Sequence, residues 1–103
     1  MQQVNDKAAM ELIANSSKLI IQFGADWCGP CRVLKPQVDA ISENFSGVSF
    51  AYVNIDDAPE ISQKFGIMSI PTVIGFKDGN PVSQVVGSSF SSVTNLIKKI
   101  EEM

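Results

Sequence analysis

Residues 20–32 read IIQFGADWCGPCR, an apolar run followed by the only two cysteines of the chain, Cys28 and Cys31. The run Leu19–Phe23 has the length of a buried strand, and the apolar residues after Pro30 recur at helical spacing. This stretch therefore predicts a strand that leads directly into a helix. Cys28 lies where the strand ends and the helix begins, and Cys31 lies one turn further along.

The rest of the 103-residue chain continues this alternation of helices and strands. We predict helices over about 5–15, 30–45 and 59–65 and from about residue 89, and further strands over 48–55, 72–77 and 81–86. Asp78-Gly79 predicts a hairpin between the last two strands. Strand-helix-strand units require parallel pairing, whereas a hairpin is antiparallel. We therefore expect an α/β fold in a single domain, with a mixed sheet and helices on both faces.

Composition and charge exclude several classes of function. The chain is 45% hydrophobic with a formal net charge of -3, and its eight Lys and Arg residues are scattered, so we expect no nucleic-acid partner. No stretch approaches the roughly 20 apolar residues of a membrane span, and the first residues lack the pattern of a signal peptide. We expect a cytoplasmic protein without a membrane partner. In a reducing compartment, paired cysteines are more often catalytic or metal-binding than structural.

The spacing of the two cysteines suits a reversible dithiol. Side chains three positions apart on a helix are neighbours, so Cys28 and Cys31 can form and break a disulfide without refolding. The unpaired N–H groups at the helix start favour a thiolate at Cys28, and Cys31 is placed to attack a mixed disulfide formed there. Gly29 admits an incoming chain, and Pro30 suits the first helical turn but offers no side-chain donor, which favours a reductant.

Three alternative roles for the cysteine pair are also compatible with the sequence. A structural disulfide that closes four residues would stabilise the fold only weakly, by about 2 kcal/mol. A zinc site needs four ligands, and a chain with two cysteines and no histidine could supply them only across two subunits or with poorly matched carboxylates, so we expect no metal site within the chain. A binding module that works without turnover is the third alternative.

Several motifs together resemble the thioredoxin family. They are WCGPC at 27–31, VNIDD at 53–57, SIPT at 69–72, FKDG at 76–79 and VGS at 86–88. The resemblance implies a thioredoxin-like three-layer fold and a protein-disulfide reductase, with Cys28 as the attacking thiolate and Cys31 as the resolving thiol. It also implies a monomer that binds no cofactor. Its partners would be an NADPH-dependent flavoprotein, thioredoxin reductase, as electron donor, and disulfide-containing clients such as peroxiredoxins.

The resemblance also assigns the residues around the dithiol. Pro71 corresponds to a cis-proline that packs beside the cysteines, and the backbone of Ile70 would pair with an extended substrate segment. The residues that shape the site would be Gln22, Trp27, Gly29, Pro30 and Pro71, and those that contact substrate would be Trp27, Ile70, Pro71 and Gly87.

Gln22 departs from the family pattern. The family usually has a buried aspartate there, credited with accepting the proton of the resolving cysteine, and often a lysine where this chain has Tyr52. An amide cannot titrate, so Cys31 would lose its proton to water or to the departing thiolate. We expect a more stable protein and a slower resolution step. Asp26 is a possible substitute base, although its position before the motif indicates an exposed side chain.

Overall fold

Five strands and four helices make up the protein in a computed structural model that describes residues 1–103. They are β1 Gln2–Gln3, α1 Asp6–Asn15, β2 Lys18–Gly24, α2 Gly29–Ser42, β3 Ser49–Asn54, α3 Pro59–Lys64, β4 Thr72–Lys77, β5 Asn80–Val86 and α4 Phe90–Glu101. All the predicted elements are present. The prediction was wrong to omit β1 and to extend α2 to residue 45.

The sheet has the strand order β1-β3-β2-β4-β5 and is mixed, as predicted. β1, β3 and β2 run parallel, whereas β4 is antiparallel to β2 and β5 is antiparallel to β4. Asp78 and Gly79 form the hairpin turn between β4 and β5, and both have positive φ, 51° and 86°. A two-residue turn with two positive φ values matches the twist of the strands, which confirms the hairpin prediction.

Helices cover both faces of the sheet and complete three layers. Leu19, Ile21 and Phe23 of β2 point to one side and pack with α1 and α3. Ile20, from the alternate position, packs on the other side with residues of α2 and α4. Because side chains alternate along a strand, Gln22 shares the face of Ile20 and lies beneath α2. None of the helices is long and apolar enough to cross a membrane.

β2 is the strand that positions the cysteines. It is hydrogen-bonded to β3 on one edge and to β4 on the other, so its path is fixed on both sides. It ends at Gly24, and α2 begins five residues later at Gly29. The short connection holds Cys28 at the carboxyl end of the central strand, where open α/β sheets place their functional sites.

Candidate active site

Cys28 and Cys31 form a disulfide at the amino-terminal end of α2, with their Cα atoms 5.3 Å apart. This separation is typical of protein disulfides. Cys28 is 6% exposed and Cys31 is fully buried. Cys31 is therefore the more enclosed of the two cysteines, as its position one turn into the helix predicted.

Cys28 caps the helix. Its Sγ accepts a hydrogen bond from the backbone N–H of Cys31 at 3.2 Å, and its carbonyl oxygen accepts the first helical hydrogen bond from Arg32. A sulfur in this position faces the unpaired N–H groups and the positive end of the helix dipole, both of which favour negative charge. The environment of Cys28 therefore stabilises a thiolate once the disulfide is reduced.

A second loop forms the wall opposite the helix. The Ile70–Pro71 peptide bond is cis, as the family resemblance implied, and Pro71 is buried. The carbonyl oxygen of Ile70 lies 3.9 Å from Cys28 Sγ, across 42 residues of sequence. Gly87 completes this wall, because its N–H donates to the Pro71 carbonyl at 2.8 Å and its φ is 108°. The structure thus brings Ile70 to the dithiol, with Pro71 next to it in the chain and Gly87 bonded to Pro71.

The rim of the site is apolar and exposed. Trp27 is 68% exposed, and its indole N–H donates to the Asp56 carboxylate at 2.9 Å. Asp56 follows the carboxyl end of β3, where its backbone N–H donates to the side chain of Asn54. Sequence reasoning did not identify Asp56 as a site residue, because nothing in the pattern relates residues 27 and 56. Their contact depends on β2 and β3 ending side by side.

Gln22 lies beneath the disulfide and is fully buried. Its Nε2 donates to the backbone carbonyl of Cys31 at 3.4 Å. Because that carbonyl can only accept, the atom of Gln22 that faces it must be the amide nitrogen. The opposite atom, Oε1, is buried without a hydrogen-bond partner. Gln22 therefore offers one unused acceptor under the resolving cysteine.

Tyr52 of β3 lies directly opposite Gln22 of β2 in the sheet register. Its side chain is buried, and the Lys35 ammonium lies 4.5 Å from the centre of its ring. Burial raises the pKa of Tyr52, and the nearby negative charge of Asp26 raises it further. Asp26 itself is exposed, as the sequence predicted, so it does not occupy the buried position that the family's carboxylate would take.

The side chains around the dithiol offer a redox pair and no metal site. No group of three or more His, Cys, Asp or Glu side chains in the protein is placed to hold a metal ion. Two sulfurs without further ligands do not meet the tetrahedral requirement of a structural zinc site. Reduction of the Cys28–Cys31 disulfide instead gives a dithiol in which the Cys28 sulfur is stabilised as a thiolate.

Comparisons with known proteins match the chain to one family over nearly its whole length. The thioredoxin family model matches residues 1–102. A thioredoxin of Porphyra purpurea is 43% identical over 88 residues, which cover 84% of this chain and 82% of the relative. The structure of Plasmodium falciparum thioredoxin superposes with a TM-score of 0.92 at 30% identity, covering 96% of this chain and 98% of the other.

A further structural relative comes from work on the thiol-resolving mechanism of the yeast mitochondrial 1-Cys peroxiredoxin through the glutathione and thioredoxin systems. That chain superposes with a TM-score of 0.88 at 25% identity, covering all of this chain and 95% of the other. Taken with the match over residues 1–102 and the geometry of the Cys28–Cys31 pair, these similarities show that the chain belongs to the thioredoxin family.

Proposed function

We propose that this protein reduces the disulfides of other proteins by dithiol–disulfide exchange, with Cys28 as the attacking thiolate and Cys31 as the resolving thiol. The thiol–disulfide oxidoreductase activity follows from its family and from the cysteine pair. One observation supports the assignment of the two roles. Cys28 keeps 6% of its surface exposed and its Sγ accepts the Cys31 N–H at the start of α2, whereas Cys31 is fully buried.

The reaction has two exchange steps. The Cys28 thiolate attacks one sulfur of the client disulfide, and the electron pair of the broken bond leaves with the other client sulfur, which takes up a proton. The Cys31 thiol then loses its proton to water or to the departing thiolate and attacks Cys28 Sγ. The bond between Cys28 and the client breaks, and the second client sulfur leaves and is protonated. The client disulfide gains two electrons, and the protein is left with the Cys28–Cys31 disulfide.

The wall and rim of the site support a protein substrate. Ile70 presents a backbone carbonyl 3.9 Å from Cys28 Sγ, and an extended client segment could pair with this backbone as an added strand. Trp27 supplies exposed apolar surface next to the reactive sulfur. Gly87 has no side chain that would project from the edge of the groove into the path of a client segment. Gly29, Pro30 and Pro71 shape the path to the sulfur.

The proposed partners are those of a thioredoxin. An NADPH-dependent flavoprotein, thioredoxin reductase, would return electrons to the disulfide, and the protein itself would bind no cofactor. Peroxiredoxins are proposed among the clients, and the yeast structural relative supports this, because it was described in connection with resolution of a peroxiredoxin thiol. We propose a monomer that acts in the cytoplasm, where reduced thiols are maintained, with no membrane or nucleic-acid partner.

Trapping with Cys31→Ser tests the proposal. This variant lacks the resolving thiol, so clients should accumulate as mixed disulfides with Cys28, and mass spectrometry after affinity capture should identify them. The matched control is the Cys28→Ser, Cys31→Ser double variant, which should capture nothing covalently. Insulin disulfide reduction should be lost in Cys28→Ser. If the trapping variant forms no adducts, or Cys28→Ser retains activity, the reductase assignment is wrong and the binding-module alternative gains support.

A further inference from the structure

Tyr52 is a titratable residue next to the dithiol that the exchange steps above do not use. The residue is only 4% exposed, and its hydroxyl is not a buried unpaired group, because Gln22 Oε1 is the one buried side-chain polar atom without a partner. A phenol O–H in this position can donate to a group that another state of the protein supplies. The exchange reaction creates such a state, because the reduced protein contains groups that the disulfide form lacks.

The backbone of Gly24 locates the hydroxyl relative to Cys31. A Cβ atom added to Gly24 would clash with the Tyr52 hydroxyl and would lie 3.1 Å from Cys31 Cβ. The hydroxyl and the base of the Cys31 side chain therefore both border the space that a Gly24 side chain would fill. Glycine at this position leaves the space between them open.

Gln22 and Tyr52 offer complementary groups to Cys31. The unpaired atom of Gln22 is an acceptor, Oε1, whereas the hydroxyl of Tyr52 is an O–H donor. In the disulfide form neither sulfur carries a hydrogen, so Cys31 cannot donate to the unpaired Oε1 of Gln22. A thiol can donate to Gln22, and a thiolate can accept from Tyr52.

We propose that Tyr52 donates a hydrogen bond to the Cys31 thiolate in the resolution step, while Gln22 Oε1 accepts from the Cys31 thiol before it loses its proton. The proposal rests on the exchange reaction proposed above and adds no further reactant. The proton of Cys31 still leaves to water or to the departing thiolate. Tyr52 keeps its own proton throughout and lowers the energy of the anion that attacks Cys28.

The charges around Tyr52 are consistent with a donor that stays protonated. Asp26 from the loop before α2 faces it with a negative charge and opposes ionisation of the phenol, as burial also does. Lys35 from α2 lies over the ring and adds a positive charge next to Tyr52. On the sheet, the paired residues of β2 and β1 are the uncharged Gln22 and Gln3.

The two exchange steps can be followed separately in one reaction. The reduced protein is mixed with an aromatic disulfide that releases a coloured thiolate. The first release reports attack by Cys28, and the second reports resolution by Cys31. If the first release fails, the proposed function fails. If the first release is normal and only the second release changes, the proposed function stands and the result bears only on the role of Tyr52.

Tyr52→Phe removes the hydroxyl and keeps the ring. We expect the pH midpoint of the second release to rise by about one unit, because a hydrogen bond to the thiolate is lost. A more basic thiolate is also a better nucleophile, so the second release should be about threefold slower below the midpoint and about threefold faster above it. This crossing of the two pH profiles is not expected from a general loss of structure.

A second measurement should shift the pH midpoint of the second release in the opposite direction while keeping the tyrosine ring and its hydroxyl. Tyr52 is the only tyrosine in the chain, so biosynthetic incorporation of 3-fluorotyrosine alters this residue alone. Fluorination makes the phenol a stronger donor, and the midpoint of the second release should fall. The control is Ser62→Ala, which deletes a buried hydroxyl bonded to Ala58 and should leave both releases unchanged. An unchanged second release in Tyr52→Phe, or equal changes in both releases, would overturn the proposal.

Discussion

The backbone N–H of Cys31 donates to Cys28 Sγ at 3.2 Å, so the second cysteine of the pair supplies a donor to the first. The same amide is one of the unpaired N–H groups that every helix has at its start. A side-chain acceptor at this position therefore caps the helix, and if the acceptor is ionised the helix start stabilises its negative charge. In Cys28 the acceptor is the atom that reacts.

Selective alkylation of the reduced protein tests this asymmetry. We expect iodoacetamide to modify Cys28 at least about tenfold faster than Cys31, because the helix start favours the thiolate at Cys28 and Cys31 is fully buried. Peptide mass spectrometry of a time course gives both rates, and unfolding in urea should remove the difference. Faster labelling of Cys31 in the folded protein would contradict the assigned roles.

Gln22→Asp places a carboxylate at a fully buried position. We expect the variant to be less stable by about 2 to 4 kcal/mol at neutral pH, because burial disfavours the charged form. The pKa of the introduced group would be raised above its unfolded value of about 4, so the penalty should be absent below that pH and grow as the pH rises. Urea unfolding at several pH values measures it.

The matched control for this variant is Gln22→Asn, whose side chain has the size of aspartate but cannot ionise. The stability of the two variants should converge in acid and separate toward neutral pH. The resolution rate of Gln22→Asp should also gain a pH-dependent component that the wild-type protein and Gln22→Asn lack. If Gln22→Asp shows the wild-type profile, a buried base at this position does not affect Cys31.

Gly87→Ala tests the backbone of the groove rim. An added Cβ would meet no atom within 4 Å, but the φ of 108° is one that alanine rarely adopts. We expect a loss of about 1 to 2 kcal/mol from backbone strain alone, measured by urea unfolding. Gly47→Ala is the control, because that glycine also has open space around it but no positive φ. It should change stability by less than about 0.5 kcal/mol, and equal losses in the two variants would contradict backbone strain as the cause.

The raised pKa of Tyr52 predicts how stability depends on pH in alkali. Burial favours the protonated phenol, so the folded protein holds this proton to higher pH than the unfolded chain, whose tyrosine has the ordinary pKa of 10.0. The contribution of the protonated Tyr52 to the free energy of unfolding should be fully present below pH 10 and should be lost as the pH rises above it. The stability difference between wild type and Tyr52→Phe should therefore be constant at lower pH and decrease above about pH 10. A difference that stays constant to about pH 11 would contradict it.

Local patterns were sufficient to predict most of the fold. The hairpin at Asp78-Gly79 and the passage from β2 into α2 depend on neighbouring residues, and both are present as predicted. β1 was missed because Gln2 and Gln3 have no apolar alternation. They form a strand only because the edge of β3 offers hydrogen bonds to them.

The sequence predicted those parts of the site that depend on residues close together in the chain. The position of Cys28 at the helix start follows from the sequence, but the approach of Ile70 to it joins residues 42 positions apart and was implied only by the family resemblance. The contact of Trp27 with Asp56 was not anticipated at all. The sequence also could not show that Gln22 and Tyr52 are directly opposite, because the register between β2 and β3 depends on the tertiary pairing.

The central position of β2 in the sheet determines when its backbone hydrogen bonds should break relative to those of other segments. Native-state hydrogen exchange is slowest in segments whose amides are bonded and buried on all sides, and fastest where few contacts hold the chain. β2 lies between β3 and β4, and six of its seven residues are buried, so its amides should exchange only through global unfolding. The cysteines thus follow a strand that we expect to open only when the whole protein unfolds. Fraying at the sheet edges, such as β5, can occur without disturbing the alignment of the two sulfurs.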